Sequence, residues 1–199
     1  AGAWDAVRAA FSGRERDYLD GLLRGLPVPS RVLDLGCGSG RPLAEEVLRR
    51  GHEVTGVDQA EALLGIAARR FSGVRWVHAR LEEFAFEERY AAVICWDVLF
   101  HLPRAEHGPI LANLARVLPS GGRLMLTVGG SAHPPFVDTM FGEPFFYDSH
   151  PPEVVRAMLQ ELGFAPVIHE FLDPPTGGRD KGRYAILAVK AAPGCALPG

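Results

Sequence analysis

Three observations predict an α/β fold built on a doubly wound sheet. Short apolar strands alternate with amphipathic helices at even spacing. A glycine-dense turn follows the first strand directly. The chain closes on two strands joined by a loop rather than a helix. Trp4, Val7, Ala10 and Phe11 keep helical spacing, and a second helix spans Glu15 to Leu26, stopped by Pro27 and Pro29. Arg31–Leu35 reads as a strand, residues 41–50 as a helix, Glu53–Val57 as a strand, and Ala60–Phe71 as a helix ended by Ser72-Gly73. Val74–His78 is a strand, followed by an irregular acidic stretch from Glu82 to Glu88. Ala91–Trp96 is apolar throughout, as in strands buried on both faces. Arg104–Leu118 is an amphipathic helix broken by Pro119-Ser120-Gly121-Gly122, and Arg123–Val128 is a strand. Residues 131–150 form an irregular stretch rich in Pro and Phe. After it come a helix at Pro152–Leu162, a strand near Val167–Leu172 and a last strand at Tyr184–Lys190.

Strand–helix alternation requires a parallel sheet with right-handed crossovers and helices on both faces. Seven strands in the order 3-2-1-4-5-7-6 place the glycine turn at the switch point between the first and fourth strands, with the seventh strand antiparallel. Residues 1–30 are expected to be N-terminal helices packing on the core. Residues 31–191 form the main domain, and 192–199, rich in Pro and Gly, a loose tail.

At 199 residues the chain is long enough for one domain with a real core. A formal charge of −3, from 21 basic and 24 acidic residues, lacks the basic footprint of a nucleic-acid binder. No apolar run approaches the roughly 20 residues of a membrane helix. The chain starts at Ala1 with no signal-peptide layout, which reads as a trimmed sequence. Cys37, Cys95 and Cys195 are too few and too scattered for a disulfide framework or a C-x-x-C metal site, so a reducing, cytoplasmic setting is expected. The seven histidines form no metal-type cluster, and no metal is expected.

The most informative stretch is Val32-Leu33-Asp34-Leu35-Gly36-Cys37-Gly38-Ser39-Gly40. Glycines after a buried strand let the backbone turn sharply and approach a ligand, while the following helix offers free N–H groups. The spacing is G-x-G-x-G, not the G-x-G-x-x-G of a dinucleotide fingerprint. Asp58 closes the next strand, where a carboxylate can accept both hydroxyls of a ribose. Without Asp58 the glycines would read as an ordinary tight turn.

Several motifs in order make the chain, from Glu15 to Lys190, resemble the class I S-adenosylmethionine-dependent methyltransferases. Val32–Gly40 resembles the first motif and Val54-Thr55-Gly56-Val57-Asp58 the second. His78–Phe86 has the position of the third, Ala91–Asp97 that of the fourth, and Leu118–Leu124 resembles the turn into the fifth strand. The resemblance implies a Rossmann-like fold and S-adenosylmethionine as cofactor. It implies that Gly36, Cys37, Gly38 and Gly40 wall the methionine part, with Asp34 reaching its amino group. Asp58 would take the ribose and Gln59 lie along the adenine, with Arg80 and Leu81 flanking the adenine edge. Arg80 departs from the acidic residue common at that place, for which Glu82 or Glu83 would substitute. Trp96 either borders the sulfonium, by cation–π attraction, or is a core aromatic.

Methyl transfer is the implied activity, and the aromatic, weakly charged segment that includes Phe136, Met140, Phe141, Phe145, Phe146 and Tyr147 favours a small, largely apolar acceptor. The cofactor supplies the electrophile, so alignment for in-line displacement is the protein's main task. No residue is obligatory for that step, and none is assigned as catalytic. His101 lies just past the fourth strand and is read as lining the cofactor pocket in preference to acting as a base. His133 and His150 flank an aromatic segment whose Phe146 and Tyr147 are the candidate substrate contacts, as part of a lid. The alternative is a hydrophobic plug under the edge strands. Cys37 and Cys95 are small apolar fillers, and Arg179–Arg183 a solvated turn. Two competing functions remain, a nicotinamide-dependent oxidoreductase and a catalytically silent cofactor-binding protein. NAD and S-adenosylmethionine separate the first, and methyl release the second.

Overall fold

The computed structural model describes residues 1–11, 13–178 and 180–192. Cys195 and the expected tail beyond Ala192 lie outside the described residues, as does Arg179 of the charged turn. In chain order the elements are α1 (Gly2–Val7), α2 (Glu15–Leu23), β1 (Arg31–Leu35), α3 (Leu43–Arg49), β2 (Glu53–Asp58), α4 (Glu61–Arg70) and β3 (Arg75–His78). There follow β4 (Ala92–Cys95), α5 (Arg104–Val117), β5 (Arg123–Gly129), β6 (Phe136–Met140), β7 (Glu143–Tyr147), α6 (Pro152–Glu161), β8 (Phe164–Asp173) and β9 (Arg183–Lys190). Short 3-10 turns sit at Leu81–Glu83 and Leu99–His101.

Seven strands form one sheet in the order β3-β2-β1-β4-β5-β9-β8. β9 runs antiparallel to both β5 and β8, and the pairs from β3 to β5 are parallel. This is the order expected from the sequence, with the glycine turn at the switch between β1 and β4. Alternation along each strand explains why two cores form. Leu33, Leu35, Val93 and Cys95 point to the face covered by α5 and α6. Val32, Ile94 and Trp96 point to the opposite face, with Tyr18, Leu19 and Leu22 of α2 and Val47 of α3. Every residue of β4 is buried, which is why its sequence is apolar without alternation.

The N-terminal region divides in two. α2 buries Tyr18, Leu19, Leu22 and Leu23, whereas α1 buries none of its residues. α1 ends at Val7, so Ala10 and Phe11 are not on the helix that their spacing suggested. It is held instead by the bidentate Asp5–Arg70 pair, at 2.9 Å for both bonds.

The sequence also missed two strands. Within the stretch read as irregular, β6 and β7 pair as an antiparallel hairpin, a separate two-stranded sheet inserted between β5 and α6. Its turn is Phe141-Gly142, both at positive φ. Pro134, Pro135 and Pro144 masked the alternation, yet Pro144 sits on a two-stranded ribbon, where a missing N–H is tolerated.

Candidate functional site

The site begins with how β1 ends. The Gly36 and Cys37 N–H groups both donate to the Val57 carbonyl, at 2.8 and 3.1 Å, which ties the glycine turn to the end of β2. Gly36 has φ of +71°, and a Cβ there would stand 2.0 Å from Val98 Cγ2. Only glycine fits. Asp58, at the end of β2, accepts from Gly38 N–H through Oδ2 and from Ala60 N–H through Oδ1, both at 2.8 Å. Two amides thus fix the carboxylate's direction and leave lone pairs for further donors. Burial raises the Asp58 pKa against the pull of those amides.

A cavity of about 690 Å³ opens over these strand ends. Asp58, Gln59, Leu81 and His101 border it, with Met140, Phe141 and Phe146 from the hairpin. Below it lies a smaller space of about 30 Å³ between Asp34, Trp96, Cys37 and Gly38, roofed by Trp4 and Arg8. Asp34 is 3% exposed, and its carboxyl accepts no hydrogen bond from another described side chain. Burial first, and the Asp58 charge second, push its carboxyl up to about 8. The indole N–H of Trp96 is also buried without a partner. An orphaned donor and an unpaired carboxyl in one recess suit a ligand end carrying both an acceptor and a cation.

The two readings of Trp96 therefore meet in one residue, since its ring packs 5.2 Å from Tyr18 in the core while its edge borders the recess. His101 Nδ1 lies 3.0 Å from the Phe146 carbonyl, which can only accept, so Nδ1 carries the proton and Nε2 is left as an acceptor. Burial lowers its pKa and keeps the ring neutral. Burial likewise raises the thiols of Cys37 and Cys95, the latter to about 12, so neither is a thiolate.

Three expected contacts fall elsewhere. Gly40 faces the rings of Phe71 and Trp76, where a Cβ would stand 2.8 Å from Phe71, and it borders neither space. Arg80 is exposed and paired with Glu82, whose charge holds it outside the cavity. Tyr147 borders a different cavity of about 480 Å³, where its ring stacks on Phe100 and Phe136. Among the described residues no group of three His, Cys, Asp or Glu could hold a metal.

Sequence reasoning passed over Asp97. It follows β4 at φ of +57°, a conformation that costs a non-glycine residue on the order of 1 kcal/mol. Its N–H donates to Thr127 Oγ1 at 2.7 Å, that hydroxyl donates back to Oδ1 at 3.1 Å, and Arg183 donates to Oδ2 at 2.8 Å. The available signal was an acidic residue ending an otherwise apolar strand.

Residues 32–122 match a family model described as a methyltransferase domain. The chain is 36% identical over 117 residues to a ubiquinone biosynthesis O-methyltransferase of Alkalilimnicola ehrlichii, covering 56% of this chain and 46% of that protein. It is 38% identical over 103 residues to the protein of that name from Hahella chejuensis, covering 49% and 42%. The chain thus spans less than half the length of these curated relatives. A solved Burkholderia thailandensis 1,6-didemethyltoxoflavin-N1-methyltransferase, with its substrate and S-adenosylhomocysteine bound, is 25% identical and superposes with a TM-score of 0.68, covering 89% of this chain and 78% of that one. Over residues 32–122 the chain is therefore similar to methyltransferase domains, and along most of its length it shares the fold of a solved methyltransferase. A solved S-adenosylmethionine-dependent methyltransferase from Clostridium acetobutylicum, 13% identical with a TM-score of 0.72, covers 96% of this chain and 97% of its own and shows the same fold.

Proposed function

We propose that this chain is a class I S-adenosylmethionine-dependent methyltransferase, which binds S-adenosylmethionine and transfers its methyl group to a small, largely apolar acceptor. The observation that carries the reading is the placement of two carboxyls, the buried Asp34 and the half-buried Asp58, at the ends of adjacent strands beside the glycine turn. Asp58, aimed by two amides, accepts the ribose hydroxyls, and Gln59 and Leu81 line the adenine. Asp34 takes the ammonium of the amino-acid end, while the Trp96 N–H is free to meet its carboxylate. Gly40 and Arg80 drop out of the proposed contact set. A space of about 30 Å³ holds about one water, so binding of the amino-acid end moves Trp4 of α1 and Arg8 just after it aside.

When bound, the cofactor supplies an electrophilic methyl carbon. The chain's own part is to hold both ligands in line and exclude water. Met140, Phe141, Phe145 and Phe146 form the apolar wall against which the acceptor rests, and His101 lines the cavity as a neutral acceptor. An open basic groove for a nucleic acid is not part of this reading, and two buried free cysteines suit a cytoplasmic setting.

Thermal shift and calorimetry with S-adenosylhomocysteine and NAD test the cofactor, and methyl release over a metabolite panel tests turnover. Stabilisation by S-adenosylhomocysteine alone, with methylation of a small aromatic or apolar compound, is expected. Stabilisation by NAD alone would replace the reading with an oxidoreductase. Binding without turnover over the panel would leave a silent cofactor-binding protein.

A further inference from the structure

The large cavity and the small recess meet at three residues, Trp4, Gly36 and Asp97, which border both. Asp97 alone among them is charged. On the proposed function, the ribose lies toward Asp58 in the large cavity and the amino-acid end toward Asp34 in the recess. The sulfonium is the atom that joins those two parts of the cofactor, so it falls at their meeting point. We infer that Asp97 presents its carboxylate to the sulfonium and its methyl group, and is the specificity-determining residue at the transfer point.

Its surroundings are built to hold it there. The left-handed backbone turns Asp97 out of the line of β4, and Thr127 of β5 closes a two-bond ring on its N–H and Oδ1. Arg183 of β9 pins Oδ2, and Arg183 is itself shared with Asp173 at 3.0 Å. Thr127 is fully buried, so that ring is shielded from water. Thr127 and Arg183 are thus positioning residues, drawn from β5 and β9, the next two strands on that side of β4. A carboxylate fixed at the methyl group selects an acceptor that offers it an N–H or O–H hydrogen over one that attacks through carbon or a thioether.

Two cofactor analogues test this without knowledge of the acceptor. S-adenosylhomocysteine has a neutral sulfur at the reacting position, whereas sinefungin carries an ammonium on carbon where the methyl-bearing sulfonium stands. Asp97→Asn keeps the size, tolerates the left-handed backbone and retains an acceptor for Thr127. By calorimetry it should lose about tenfold or more in sinefungin affinity, as expected for a charge-assisted contact in a desolvated site, with S-adenosylhomocysteine changed less than threefold. Asp97→Gly, which takes the same backbone without strain, serves if the first variant does not fold. Asp173→Asn is the control, because it removes Arg183's other carboxylate away from both spaces, and it should leave the two affinities in their original ratio. Equal loss of both analogues in the Asp97 variants, no loss of either, or the same selective loss in Asp173→Asn would overturn the inference. Failure of the unmodified protein to bind either analogue would instead strike the cofactor reading on which it rests.

Discussion

The ends of β1 and β2 and the β6–β7 hairpin border the same cavity, but they are made differently. At the strand ends the work is done by main chain, with Val57 O capping two amides of the glycine turn and two further amides aiming Asp58. At the hairpin it is done by side chains. Phe141 and Val137 are about half exposed, and rings meet rings, as in Trp4 stacked 6.5 Å from Phe145 and His101 5.2 Å from Phe145. Backbone geometry tolerates little change, whereas a ring wall can be altered residue by residue. The comparison teaches that the part of the cavity built from main chain is rigid and the part built from side chains is adjustable.

The strongest way to break that contrast uses one substitution in each region. Gly36 and Gly142 both have positive φ, but a Cβ at Gly36 strikes Val98 while one at Gly142 meets open space. Urea unfolding should show Gly36→Ala destabilised by about 2–3 kcal/mol, with overpacking added to strain, and Gly142→Ala by about 1 kcal/mol from strain alone. Equal losses would remove the distinction. Next in size, Asp58→Ala should weaken S-adenosylhomocysteine binding by about 1.5–3 kcal/mol, the scale of hydrogen bonds to a charged group. Unchanged affinity by calorimetry would sink the ribose assignment. Smallest is the expected effect of hairpin truncations on the cofactor. Phe146→Ala and Tyr147→Ala should change its affinity by less than about 0.5 kcal/mol, the range of substitutions away from a contact. Phe146→Ala, on the large cavity, should then shift which acceptors are methylated more than Tyr147→Ala does. If both merely lower the melting temperature and turnover tracks the folded fraction, the hairpin is structural.

The same contrast decides what could be read from the sequence. The glycine turn was legible because three left-handed positions after a strand need glycine, and a backbone need leaves a residue-type signature. The sheet order followed from strand–helix alternation, and β1 was bounded correctly because it is buried except at Arg31. The hairpin left no such mark. Its strands are short and half exposed, alternate weakly and carry a proline, so a stretch with Phe136, Phe145 and Phe146 read as irregular. Arg80 was placed by its position in a motif and Tyr147 by its aromatic segment, but which way a side chain leaves an exposed turn or a strand depends on partners distant in sequence, such as Phe100 stacked 6.5 Å from Tyr147. Asp97 was hidden for a related reason, since its role depends on Thr127 and Arg183, 30 and 86 residues away.

The account turns on Asp34, a buried carboxyl raised to about 8 that waits for a cationic partner. Near pH 7 such a group is largely protonated in the ligand-free protein. Pairing with the ammonium of the cofactor's amino-acid end favours its charged form, so binding must expel the proton. Calorimetric titration with S-adenosylhomocysteine at pH 7, in two buffers of different ionisation enthalpy, reads that directly. The account predicts release of about one proton per ligand bound, fading above about pH 9 and absent in Asp34→Asn. Binding with no proton release, or with the same release in Asp34→Asn, would contradict it.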